Sequence, residues 1–123
     1  MVLDALGPLA DRDWTSPAGV LEWTCHQTAS HVASDLVRYA VQLAGRTDDA
    51  YLRFTVVVPD DEPPAELLRL MSGCGLLLAA AVDCSPADAR AWHWGPTDAS
   101  GFAAVAIGEL LVHAYDIAHG LGD

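Results

Sequence analysis

The chain has no lysine. All six of its basic residues are arginines, set against 17 acidic ones, for a formal net charge of −11 over 123 residues. So few cations exclude duplex DNA and anionic membrane as main partners, because both are held by basic patches. Cysteine is scarce as well: Cys25, Cys74 and Cys84 are an odd number without a Cys-x-x-Cys pair. That argues against a disulfide framework and makes a reducing cytoplasm the expected compartment. The longest apolar run, Gly73 to Val82, is far shorter than the ~20 residues that span a bilayer. The first residues carry Asp4, Asp11 and Asp13 and no basic stretch, so a secretory leader is not expected. Also missing are a glycine-rich phosphate loop, a nucleophile elbow, a basic recognition helix and the His-x-x-x-Cys-x-x-Cys pattern of zinc-binding anti-sigma factors.

What remains is a chain with a 52 % hydrophobic content, too high for a disordered acidic tail. No repeat or linker divides it, so residues 1–123 read as one domain. Val2 to Trp14 is weakly helical, and Gly7-Pro8 breaks it. Thr24-Cys25-His26-Gln27 fits a capping box. From there Ala29, Ala33, Leu36, Val37, Ala40, Leu43 and Ala44 share one helical face, and Gly45 is placed to end the helix in a left-handed conformation. Tyr51 to Val58 is β-branched and aromatic, as a strand would be. Its one plausible partner is Ala89 to Trp94, and a lone hairpin is marginal, so an extended connection with brief pairing is expected. Prolines and acids at 60–64 open a helix running from Ala65 to about Asp83, whose Gly73 and Gly75 suit close packing of another helix. The last helix, about Ala99 to Ala118, is apolar nearly all round, which reads as a buried helix. The layout is all-α. A four-helix bundle, with a short extended or β segment near 51–58, is the economical architecture.

In a helix so apolar the polar residues carry the information. Glu109 and His113 lie one turn apart on one face, the spacing with which a helix offers a carboxylate and an imidazole to a divalent ion. The same spacing also suits a simple hydrogen-bonded pair. Asp116 follows on that stripe, placed to orient the imidazole or to meet Arg38 or solvent. His31 is the candidate third ligand. Its stripe holds Gln27, Asp35, Arg38 and Gln42, opposite the alanine-leucine face. Periodicity alone makes it a surface histidine, yet a polar stripe can equally line a wet cavity. Trp92-His93-Trp94 reads as an aromatic loop over the bundle end or as a cavity mouth.

Trp23-Thr24 with His31 eight residues after the tryptophan, and Asp13-Trp14 upstream, resemble the first signature of the DinB-like metal-binding superfamily. Glu109-Leu110-Leu111-Val112-His113-Ala114-Tyr115-Asp116-Ile117-Ala118 resembles the second, in the form E-x-x-V-H-x-x-D-[IL]-A found in the N-terminal domain of mycothiol-dependent maleylpyruvate isomerases. The resemblance covers essentially the whole chain. It implies a DinB-like four-helix bundle with His31, Glu109 and His113 as ligands of one divalent metal, usually zinc. Two imidazoles and a carboxylate leave a fourth position open, which in the family takes water or the thiol of a low-molecular-weight cofactor such as mycothiol. Such a centre activates the thiol for isomerisation or S-transfer on a small-molecule substrate. The family's closing A-L-G stands here within His119-Gly120-Leu121-Gly122, which brings an imidazole into the neighbourhood. Whole isomerases also carry a C-terminal domain, whereas this sequence stops just after Gly122. Two other functions stay open: a non-catalytic metal- or ligand-binding module, and a thiol-independent tailoring enzyme on the same bundle. A homodimer is compatible with the resemblance, and no stripe identifies its interface.

Overall fold

The computed structural model describes all 123 residues. In chain order it contains α1 (Val2–Leu6) running into a 3-10 turn (Gly7–Leu9), α2 (Cys25–Gly45), α3 (Pro64–Cys84), β1 (Ala91–Trp92), β2 (Pro96–Thr97) and α4 (Ala99–Gly120). The result is the all-helical bundle expected, with a small two-stranded addition.

The capping box opens α2: the Gln27 amide donates to Thr24 Oγ1 at 3.1 Å, and the Thr24 amide donates to Gln27 Oε1 at 2.9 Å. From this start α2 turns Ala29, Val32, Ala33 and Leu36 into the core, where they meet Leu67, Met71 and Leu78 of α3 and Ala106 and Ile117 of α4. Leu6, Leu9 and Trp14 close one end, the Trp14 indole donating to Leu9 O at 3.0 Å. The end of α2 differs from expectation. Gly45 is its last helical residue, and Arg46 takes the left-handed conformation at φ 52°, its amide reaching Gln42 O and Leu43 O. A Cβ at 45 would lie 2.7 Å from Leu52 Cδ1, a methyl at the end of a side chain that can turn aside.

Two further expectations need correction. Gly75 faces Leu36, but a Cβ on Gly73 would meet nothing, so only one of the two α3 glycines serves helix packing. And α4 is not buried all round: Phe102, Ala106 and Ile117 are buried, while Val112 and Tyr115 are 60 % and 71 % exposed. This helix occupies an edge of the bundle, and its outward side is apolar without being covered. By length and composition α3 and α4 are both apolar enough to cross a membrane, yet each contributes side chains to the shared core.

Residues 51–58 are extended but join no sheet. The strand pair forms elsewhere, Ala91 opposite Thr97 and Trp92 opposite Pro96. Buried Gln42 holds these loops to α2. Its amide nitrogen lies 2.6 Å from Thr47 Oγ1, 2.9 Å from Ala50 O and 2.8 Å from Trp92 O, two hydrogens shared among three acceptors, and its oxygen accepts the Leu52 amide at 2.9 Å.

The other tight point is the end of α4. A Cβ on Gly120 would collide with the Pro17 carbonyl and approach Cys25 Sγ to 2.8 Å and the Ala18 Cα to 2.9 Å. Backbone cannot step aside as a flexible side chain can. Gly120→Ala is therefore expected to cost about 1–3 kcal/mol by overpacking, seen as a lower denaturation midpoint, whereas Gly108→Ala, which meets no neighbour, should not destabilise.

Candidate metal centre

Helices α2 and α4 cross so that their polar stripes face each other. From α2 come His31 and, one turn on, Asp35; from α4 come Glu109, His113 and Asp116. His113 Nε2 lies 3.2 Å from Glu109 Oε2, and His31 Nε2 lies 3.7 Å from the same oxygen. The three donor atoms all fall within 4.8 Å of one another. Zinc–ligand bonds of about 2 Å at tetrahedral angles put ligand atoms roughly 3.3 Å apart, so this cluster needs little adjustment to accept an ion. The imidazoles of His31 and His113 meet edge to face with centroids 5.4 Å apart, and Trp23 covers His31 at 4.8 Å.

His31 thus points at Glu109 rather than to bulk solvent. Its stripe lines a groove, which periodicity alone could not separate from an exposed face. That groove, about 360 Å³, runs between α2 and the extended segment, with Trp23, His31, Asp35, Arg38, Val56 and Val58 among its walls. A second cavity of about 250 Å³ continues past Asp35 and Arg38 to Tyr39, Tyr51, Phe54, His93 and Trp94.

The buried atom His113 Nδ1 has no hydrogen-bond partner. Asp116 Oδ2 stands 3.4 Å from it, longer than a formed N–H···O bond. The two side chains are nevertheless aligned as a metal-bound histidine requires: Nε2 toward the ligand cluster and Nδ1–H toward a carboxylate. Gly19, left-handed at φ 59°, brings its loop against Asp116, where a Cβ would lie 3.6 Å from the carboxylate.

Asp35 was not singled out from the sequence, although its place one turn after His31 was a usable signal. Its Oδ2 lies 3.2 Å from His31 Nε2, close enough to orient or compete for that imidazole. Burial pushes its carboxyl above the usual range; His31 pulls it back and Glu109 pushes it up again. Tyr39, one turn beyond Asp35, is held protonated mainly by its burial and then by the negative charge of Asp35. Of the other sequence candidates, Arg38 lines both cavities and sits over the Phe54 ring at 5.9 Å. Trp92 lines neither, its neighbours His93 and Trp94 taking that position. His119 is stacked on Tyr115 on the outer side of α4 and is not brought to the cluster.

A family model described as the mycothiol maleylpyruvate isomerase N-terminal domain matches residues 2–118. No curated protein and no solved structure matches the chain. With a match across nearly its whole length, the chain belongs to the mycothiol maleylpyruvate isomerase N-terminal domain family, a DinB-like group.

Proposed function

We propose that His31, Glu109 and His113 bind one divalent cation, zinc by donor type, and that the centre serves a thiol-dependent transferase or isomerase using mycothiol or a similar small thiol. The observation that carries the reading is the meeting of these three donor atoms from two helices within 4.8 Å. The orphaned Nδ1 of His113, buried beside Asp116, supports it, because ligation through Nε2 would give Nδ1 its proton and Asp116 its donor. When bound, such an ion lowers the pKa of a thiol at its open position and so supplies a thiolate near neutral pH.

The chain's own residues do the rest. Asp116 is placed to hold the His113 ring once ligation puts the proton on Nδ1, and Trp23 packs over His31 and limits water on that side. Arg38 and Tyr39 stand along the two cavities, where a small electrophilic substrate and the body of the thiol have room to lie beside the cluster. The cytoplasm, where low-molecular-weight thiols are kept reduced, is the compartment this chemistry needs.

Cobalt substitution tests the thiol separately from the metal. Addition of mycothiol to the Co²⁺ protein is expected to produce a sulfur-to-cobalt charge-transfer band. An unchanged spectrum would leave a metal-binding module and sink the thiol enzyme. A further expectation concerns Asp116→Ala, which should weaken zinc affinity roughly 10–100-fold, the usual loss when a histidine's carboxylate partner is removed. Competition with a chromophoric chelator measures it.

A further inference from the structure

Residues 53–58 lie outside every helix, turn and sheet. Their burial alternates without a break: Phe54, Val56 and Val58 are turned toward the bundle, while Arg53, Thr55 and Val57 face outward, Val57 being 80 % exposed. The composition is that of a strand. Yet no backbone N–H or C=O in this stretch is hydrogen-bonded within the chain. An apolar patch says little about what covers it, whereas a row of free amides and carbonyls on a β-branched segment specifies another extended chain.

We propose that this segment pairs antiparallel with its counterpart in a second copy, forming a two-stranded sheet across a two-fold axis. Charge selects the direction. Arg53 is the lone cation between Asp48-Asp49 on one side and Asp60-Asp61-Glu62 on the other. Parallel pairing would set arginine on arginine and acid on acid, which is destabilising. Antiparallel pairing brings each Arg53 toward the Asp60-Asp61 end of its partner.

Parity narrows the register: side chains that face the bundle must stand opposite one another. The register centred on Val56 meets this, with Val56 against Val56, Phe54 against Val58 and Thr55 against Val57. Pro59 then faces Arg53 and has no amide to give. The hydrogen-bonded pairs are therefore Val56 with Val56 and Phe54 with Val58, along the edge to which the even-numbered amides point. An isolated ribbon would be marginal, but here its inner face already packs on the bundle of each copy. Because Val56 and Val58 also wall the groove beside His31, the partner strand would brace that wall.

Sedimentation equilibrium of the full chain over a wide concentration range, with single proline substitutions, tests the pairing. Val56→Pro strips an amide from the pairing edge and Val57→Pro strips one from the opposite edge. The wild type and Val57→Pro are expected to dimerise, while Val56→Pro should dissociate at roughly tenfold higher concentration or more, having lost two symmetry-related central bonds. A wild type that stays monomeric throughout, a dimer that survives Val56→Pro, or one abolished by Leu111→Asp on the apolar outer side of α4 would each overturn the proposal. Hydrogen exchange on the unmodified chain guards against a misfolded variant. The amides of Phe54, Val56 and Val58 should gain protection as concentration rises, and equal exchange at all concentrations would contradict the pairing.

Discussion

Replacing His113 with alanine is expected to abolish stoichiometric zinc binding while leaving the bundle folded. The imidazole is the least exposed of the three donors, with 16 % of its side chain accessible, and its Nε2 is 3.2 Å from Glu109 Oε2. Its loss leaves one histidine and one carboxylate on different helices, too few to hold a tetrahedral ion against water. Affinity should fall by more than the roughly 10–100-fold that an outer partner costs. Alanine is a good helix former, so the circular dichroism of the metal-free variant should match that of the metal-free parent. Metal analysis after dialysis, run beside a thermal melt, separates lost ligation from lost structure. Retention of one zinc per chain in His113→Ala would contradict the assignment of ligands.

The second large effect is on stability. Gln42→Leu keeps the volume of a buried side chain and removes a hub. The two hydrogens shared among the Thr47 hydroxyl and the carbonyls of Ala50 and Trp92 are lost together with the acceptor of the Leu52 amide. Each group left unsatisfied costs of order 1–3 kcal/mol when buried and less where water can reach it. These loops are partly open, so a total of about 3 kcal/mol is expected. In a domain of this size that lowers the midpoint by roughly 10 °C. The loops carrying Tyr51, His93 and Trp94 should loosen first, since Gln42 supplies the hydrogen bonds that tie both to α2. Their amides should exchange faster even where the mutant remains folded. A melt within a degree or two of the parent would show that the loops are held by something other than this amide.

The bundle was legible because its signals are local. Thr24 and Gln27 announce α2 by a hydrogen-bonded box that forms within four residues, and the prolines before Ala65 announce α3. Less legible was what each helix meets. Periodicity registers that α4 is apolar on every side, but the same pattern arises from a central helix and from an edge helix whose outer side is uncovered, as Val112 and Tyr115 show. Gly45 reads as a left-handed terminator, yet the helix runs through it and Arg46 takes the left-handed conformation.

The site divides in the same way. Glu109, His113 and Asp116 were readable together since one helix carries them at one-turn spacing. His31 is named by the family resemblance and not by its periodicity, because its stripe is polar in either case until Glu109 of α4 faces it and residues 53–58 wall the groove beside it. Asp35 is hard to read for the related reason that an aspartate on a polar stripe looks solvated until the facing helix is in place. At 3.2 Å from His31 it is the nearest carboxylate to that ring, ahead of Glu109 at 3.7 Å.

X-ray absorption at the zinc edge of the reconstituted protein, recorded with and without mycothiol, tests the central claim most directly. The account predicts a first shell of nitrogen and oxygen at about 2.0–2.1 Å with the outer-shell scattering of two imidazoles, and one sulfur at about 2.3 Å once the thiol is added. A shell without imidazole scattering, or one already containing cysteine sulfur before any thiol is present, would contradict it.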